Sequence, residues 1–321
     1  MTDSLVNPSR YRPFTLSSLV FAVAQLDSWP QAANVTMFMQ DEVLMDASTA
    51  AYPLRFHPAI GVESSRFRRL DILLQHYRNV LADLTGPLYV LLPAWLSAPQ
   101  SSQLQSTLKG LCVGTSAEVI YLDSQPDRYL QHWPTLQQQL DKGRPLSLLA
   151  FDSPVPAVAS HLLGGTACEG LIVLSLQPAT AGLTLGSVAS GFRLLHSFSE
   201  GSTADTTLLR QCLATSTEPL HHLLPPAGCL QQAQWLDLYE HISHRAADTL
   251  KVHHPEQAFG ELGSLQLPYR LLYLQHHLHR DQQALMLDMT CKGHRCFSLW
   301  HNTPSPANAL ASASIKGDYY G

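Results

Sequence analysis

Phe259-Gly-Glu-Leu-Gly-Ser264, Gln283-Ala-Leu-Met-Leu-Asp288 and Arg295-Cys-Phe-Ser-Leu-Trp300 are the stretches whose reading decides the fold. The paired glycines of the first mark a turn. From Gly263 to Arg280, Leu267, Leu271, Leu274 and Leu278 recur at three- and four-residue spacing, which predicts a helix with an apolar face. Ala284 to Met289 and Arg295 to Trp300 are short apolar runs separated by Lys292-Gly293. They read as two buried strands joined by a short turn.

The same alternation extends toward the N-terminus. Leu70, Leu73, Leu74, Tyr77, Leu81 and Leu84 predict a helix over Ser65 to Leu84, ended by Gly86-Pro87. Leu88 to Leu92 is a strand, Ser102 to Leu111 a helix and Ala117 to Leu122 a strand. Asp127 to Leu140 is a helix that stops at Asp141-Lys-Gly143. Leu146 to Ala150, Leu171 to Leu176 and Leu183 to Ala189 are further strands, and Gly164-Gly165 is a turn. At the start, Leu16 to Ala24 is an apolar run and Val35 to Met39 a strand. Ala50 to Glu63, with Pro53, Pro58 and Gly61, is a loop. Polar Ser197 to Thr206 reads as a linker, followed by helices over Thr207 to Leu213 and Gln232 to Asp248. Strands alternating with helices make an α/β protein. The expected division is residues 14–196, residues 207–301 and a loosely held tail, 302–321, rich in Ala, Ser and Pro.

Composition narrows the function classes. The 321 residues are 45% hydrophobic and 14% charged, with a formal net charge of −5. A large core is within reach. A nucleic-acid partner is not expected, because phosphate binding needs clustered Lys and Arg. Arg66, Arg68 and Arg69 form the nearest basic cluster. No secretory or membrane-spanning segment is expected from Leu16 to Leu26, which is short and broken by polar residues. The six scattered cysteines do not suggest a disulfide framework, so a cytoplasmic protein with reduced thiols is expected.

The quoted stretches resemble the C-terminal half of a β-ketoacyl synthase, a member of the thiolase-like superfamily, where a glycine-rich turn opens a buried helix and a hairpin follows. Leu148-Leu-Ala-Phe-Asp-Ser153 resembles the strand and Asp-Ser turn after that family's central helix. Glu169-Gly-Leu-Ile-Val-Leu174 resembles its Gly-Glu-Gly segment, and Arg66 to Leu84 its early helix. The resemblance covers roughly residues 65–300. It implies an α/β thiolase-like layered fold of two similar halves, with mixed sheets around buried helices.

The resemblance also implies where chemistry would sit. Such enzymes carry a nucleophilic cysteine at a strand-to-helix elbow, with His or Asn side chains stabilising the oxyanion. The matching elbow, Val119 to Pro126, carries Asp123 and Ser124, residues that serve equally as helix caps. Glu261 stands at the glycine-rich turn where the family has histidine. His221 and His222 lie upstream of the second histidine position, between Leu224 and Gln234. Asp123, Ser124 and Glu261 are thus the degenerate equivalents of a catalytic set, and no catalytic residue is assigned. No cofactor is expected. Cys291, His294 and Cys296 are a weak metal candidate, short of the paired ligands zinc requires. Among the sixteen histidines, His276 and His279 share a helix face, as do His241 and His244, and His253-His254-Pro255 reads as a loop. Cys168, beside Glu169, reads as structural.

The expected function is that of a non-catalytic accessory or adaptor acting through protein contacts, as a homodimer. The resemblance points to bacterial settings beside polyketide or fatty-acid systems, or beside type VI secretion. One alternative is an active acyltransferase or condensing enzyme with an unusual nucleophile, Ser124 or Cys112. Another is an unrelated binding module that uses the His-rich helices.

Overall fold

The structure is a computed structural model that describes residues 11–33, 42–45, 51–61, 65–112, 118–125, 130–154, 166–192, 201–226, 232–289 and 293–303. In chain order the strands are β1 (Phe14–Val23), β2 (Glu42–Met45), β3 (Ala51–Arg55), β4 (Leu88–Leu92), β5 (Val119–Asp123), β6 (Leu146–Asp152), β7 (Ala167–Cys168), β8 (Gly170–Pro178), β9 (Gly182–Phe192), β10 (Leu220–Leu224), β11 (Ala246–Val252), β12 (Gln283–Met289) and β13 (His294–Thr303). The helices are α1 (Trp29–Ala32), α2 (Arg66–His76), α3 (Arg78–Ala82), α4 (Ala98–Leu111), α5 (Trp133–Asp141), α6 (Gly201–Leu213), α7 (Gln232–Ser243) and α8 (Gln266–His277).

Ten strands form one mixed sheet in the order β11-β10-β12-β13-β9-β1-β8-β6-β4-β5, and β2-β3-β7 form a small second sheet. The order reads alike from both ends. β5, β4 and β6 are parallel, and β8 runs against both β6 and β1. β11, β10 and β12 are parallel, and β13 runs against both β12 and β9. The two groups meet where Phe14 of β1 faces Leu183 of β9.

Strand alternation sends side chains to two faces, and here both faces are buried. That is why these strands read as continuous apolar runs. On β6, Leu146, Leu148 and Ala150 join a central core, while Leu149 and Phe151 join an outer one with α2, α3 and α4. On β12, Ala284 and Met286 turn to the central core, while Leu285 and Leu287 pack with α6 and α7. The central core also holds Trp133, Leu136 and Leu140 of α5 and Leu267, Leu271, Leu272 and Leu274 of α8. Helices thus cover both outer faces, and α5 and α8 fill the space between the strand groups.

Where β1 leaves β9, its backbone needs another partner. The Gln275 side chain supplies one. Its Nε2 donates to Leu16 O at 2.7 Å, and its Oε1 accepts from Leu16 N at 2.5 Å.

Several elements differ from the sequence reading. The helix expected over residues 65–84 breaks at Tyr77, whose hydroxyl lies 3.0 Å from His57 Nε2. Residues 51–55, expected as loop, form β3. Pro53 is tolerated because β7 pairs only with Leu54 and Arg55. The expected linker is helical from Gly201, and buried Asp205 pairs with Arg295 at 3.4 Å. β10 was hidden by His221 and His222 in mid-strand, and β11 by the helical pattern that runs into it. β13 extends to Thr303, so residues 302–303 belong to the sheet rather than the tail. The strand expected at Val35 to Met39, the Gly164-Gly165 turn and residues 304–321 lie outside the described residues.

The small sheet is tied down by a buried charge pair. Arg69 of α2 meets Glu169 through Nε at 2.5 Å and Nη2 at 3.0 Å, and both side chains are fully buried. Glu169 also accepts from His57 N at 3.1 Å, and Arg69 lies 4.3 Å over the Phe56 ring. Removing one partner strands the other charge in the core. Arg69→Met should therefore cost about 3–5 kcal/mol in urea unfolding, and Arg69→Met with Glu169→Leu should recover much of it. A single variant as stable as the parent would show that the pair does not hold this region.

Candidate functional site

Ligands of open α/β sheets bind outside the carboxyl ends of parallel strands. Here β4, β5 and β6 end together, with Leu92 opposite Asp123 and Leu91 opposite Ala150. Trp95 follows β4, Asp123 and Ser124 close β5, and Asp152 and Ser153 close β6. The turn over Phe259 to Leu265 packs against the end of β6.

Asp152 joins the two sides. Its Oδ1 accepts from Trp95 Nε1 at 2.8 Å, and its Oδ2 accepts from Ser264 N at 2.8 Å. Ser264 Oγ returns a bond to Phe151 O at 2.9 Å. Burial pushes the Asp152 carboxyl up from its ordinary value, opposed by the Ser264 and Trp95 donors and by Arg66. Arg66 stacks 3.9 Å over the Trp95 ring and donates from Nε to Ser153 O at 2.8 Å. Ser153 Oγ is buried and has no hydrogen-bond partner among the described residues. Gly263 makes the approach possible. It has φ +54°, and a Cβ there would stand 2.2 Å from Asp152 Oδ2.

Glu261 is half-buried on the same turn, and its backbone is paired on both sides. Glu261 N donates to Thr166 O at 2.9 Å, and Cys168 N donates to Glu261 O at 3.0 Å. Arg55 Nη1 braces the contact, donating to Thr166 Oγ1 at 2.6 Å and Phe259 O at 2.9 Å. Gly260 has φ +82°, and a Cβ there would lie 2.4 Å from Thr166 O. The thiol brought to this turn is Cys168, fully buried, with Sγ 2.8 Å from Phe259 O. The adjacent Glu169 carboxylate is committed to Arg69. Sequence spacing holds no trace of this meeting, because it is made by a parallel bridge between Ala167 and Glu261, which lie in distant segments.

At the elbow, Asp123 Oδ1 accepts from Gln125 N at 3.0 Å, an Asx turn of the kind that starts a helix entry. Ser124 is half-buried, and residues 126–129 lie outside the described residues. Cys112 is elsewhere. It ends α4 in the outer core, its Sγ lies 3.7 Å from Leu81 O, and burial pushes its thiol up. The basic cluster is dispersed. Arg66 stacks on Trp95, Arg68 pairs with Asp71 at 2.9 Å, and Arg69 is buried on Glu169.

Of the metal candidates, Cys291 lies outside the described residues. Cys296 is in the central core, and the His294 ring packs 4.8 Å from Phe192. No group of three or more metal-ligating side chains forms among the described residues. His241 Nε2 lies 2.6 Å from Arg210 Nη2, and His276 and His279 are exposed. Among the described residues, no helix is long and apolar enough to cross a membrane.

Comparison with known proteins gives a fold. No protein-family model and no curated protein sequence matches. Among solved structures, the chain is similar to AbyA1, a tetronic acid condensing enzyme. The two are 14% identical with a TM-score of 0.51, over 89% of this chain and 100% of that one. ChlB3, an acyltransferase, is 12% identical with a TM-score of 0.52, over 92% and 98%. Cerulenin-bound OleA of Xanthomonas campestris is 10% identical with a TM-score of 0.50, over 92% and 98%. The architecture is that of the thiolase-like condensing enzymes, the one anticipated from Phe259 to Trp300.

The Gly263 approach is testable. Gly263→Ala should cost about 1–3 kcal/mol, because it adds a Cβ at positive φ against the Asp152 carboxylate. A loss below about 0.5 kcal/mol in chemical denaturation, the range of a neutral surface change, would refute the contact.

Proposed function

We propose that this chain is a non-catalytic relative of the β-ketoacyl synthases, working as an accessory or adaptor through protein contacts. One observation carries the reading. No cysteine occurs between Cys112 and Cys168, so the elbow between β5 and α5 has none. Cys112 belongs to the outer core and Cys168 to β7, with its thiol on the Phe259 carbonyl of the turn. Glu261 adds to it. A carboxylate at the turn opposes the negative charge that develops on a thioester oxygen during condensation. Among the described residues no base is paired with Ser124, and an unactivated serine is a poor nucleophile.

The topology fits a duplicated unit. Within 14–196 and again within 207–301, strands take the same relative order around one buried helix each, α5 and α8. β9 lies in the first segment by sequence and beside β13 in space, as β1 lies beside β8. We take the segments as two similar halves of the thiolase-like fold. Such a protein pairs as a homodimer through the free edge of β5. Among the described residues that strand is bonded to β4 alone, and it holds Ile120 and Tyr121 half-buried. A two-fold copy would continue the sheet and remove an exposed edge.

Intact-mass spectrometry after incubation with acyl-coenzyme A or acyl carrier protein tests the catalytic point, and no covalent adduct is expected. A stoichiometric acyl mass, lost in Ser124→Ala, Cys112→Ala or Cys168→Ala, would establish the acyltransferase alternative. Light scattering tests assembly. The expected mass is twice 35.4 kDa, falling to one chain in Ile120→Asp, and a monomeric parent would remove the dimer from the proposal.

A further inference from the structure

Histidines from separate parts of the chain meet where β10, β11 and α8 pack together, and their hydrogen bonds fix one another's tautomers. His279 N donates to Gln282 Oε1 at 3.0 Å, so that atom is the amide oxygen. His222 Nε2 lies 2.9 Å from the same oxygen and must donate to it. A neutral His222 then accepts at Nδ1, 2.8 Å from His253 Nε2, which donates. His253 Nδ1 accepts in turn from the Tyr273 hydroxyl at 2.8 Å. The two imidazoles lie 14° from parallel with centroids 5.0 Å apart, which is compatible with a bond in the plane of both rings.

This chain has a fixed proton capacity. One added proton is accommodated. It sits on His253 Nδ1, so that Tyr273 accepts from that nitrogen instead of donating, while His253 Nε2 still donates to His222 and His222 Nε2 to Gln282. A second added proton sets two N–H groups against each other at the 2.8 Å contact between His222 and His253. The surroundings offer no relief. His221 comes from β10, Lys251 from β11, and His254 from the segment after it. His276 and His277 come from α8, and His279, Arg280 and Asp281 from the turn beyond. Of the acidic groups nearby, Glu256 is bound to Arg270, Glu218 accepts from Gln283 Nε2 at 3.0 Å, and Asp281 is exposed.

We propose that His222, His253 and Tyr273 form an acid-operated latch that fastens the 253–261 segment to α8 when neutral. Uptake of a second proton releases that segment together with edge strand β11. The segment is short and consequential. His253 N donates to Leu223 O at 2.8 Å, Glu256 is the buried partner of Arg270, and Glu261 forms the turn opposite Asp152. Desolvation, with repulsion from His222, His277 and Lys251, takes His253 to about 4, and desolvation lowers His222 and His277 too. The closed pKa thus lies below the ordinary 6.5, and between these values the open form holds more protons. Closure is therefore stable above that window and weakens as pH falls through it.

Hydrogen–deuterium exchange of the full chain, read by mass spectrometry from about pH 7 to about pH 4.5, spans the histidine window. Corrected protection over residues 246–261 should fall more steeply than about tenfold per pH unit, the limit for a single proton, while β6 and β8 stay protected. His253→Gln and His222→Gln should each bring the fall to tenfold or less, and His57→Gln should leave it unchanged. Imidazole nitrogen shifts of the unmodified protein at neutral pH should show both rings as Nε2–H tautomers, a reading that needs no variant to fold. A fall of tenfold per unit or less in the parent, an unchanged fall in both glutamine variants, or an Nδ1–H tautomer at either ring would overturn the latch.

Discussion

The middle of this protein depends on Arg270. A helix packed between two strand groups must be apolar nearly all round, and α8 carries Leu267, Leu271, Leu272 and Leu274 into the central core. Arg270 is the charged exception, fully buried, and a buried guanidinium is tolerated only when its donors are answered. Nε pairs with Glu256, Nη1 with Leu287 O and Asp288 Oδ1 at 2.9 Å each, and Nη2 with Pro225 O at 2.8 Å. These partners come from the exit of β10, the end of β12 and the segment leading to the Glu261 turn. One side chain thus sets where three backbone segments lie against α8. Gln266 Nε2 donates to the same Asp288 Oδ1 at 3.0 Å.

The rest follows from the same demand that buried polar groups be paired. Arg69 and Glu169 answer it in the small sheet, Gln275 at the seam where β1 parts from β9, and Asp152 between β6 and the glycine-rich turn. Asp152, Ser264, Thr166, Cys168 and Glu261 are held by hydrogen bonds around the glycine-rich turn.

Much of the fold was legible in the sequence because both faces of the main strands are buried. Runs such as Leu146 to Ala150 and Leu171 to Leu176 are apolar without interruption, and α8 shows its leucine spacing. Elements with weaker burial were hidden. β11 is a half-exposed edge, β10 carries His221 and His222, and β3 contains Pro53. The absence of an elbow cysteine and the presence of Glu261 on a glycine-rich turn could be read directly, since each is a matter of residue identity at a motif.

The sequence by itself determined the order of the central elements, the apolar character of the central layer and the lack of a thiol at the elbow. Each is written in local composition or short spacing. Only the tertiary structure decided which polar groups meet. It drew Arg69 to Glu169 across 100 residues, Ser264 to Asp152 across 112, and His222 to His253 and Tyr273. Pairing across such separations is set by strand order and layer packing. No local pattern records it, because a buried histidine, arginine or aspartate looks the same in sequence whatever answers it in the core.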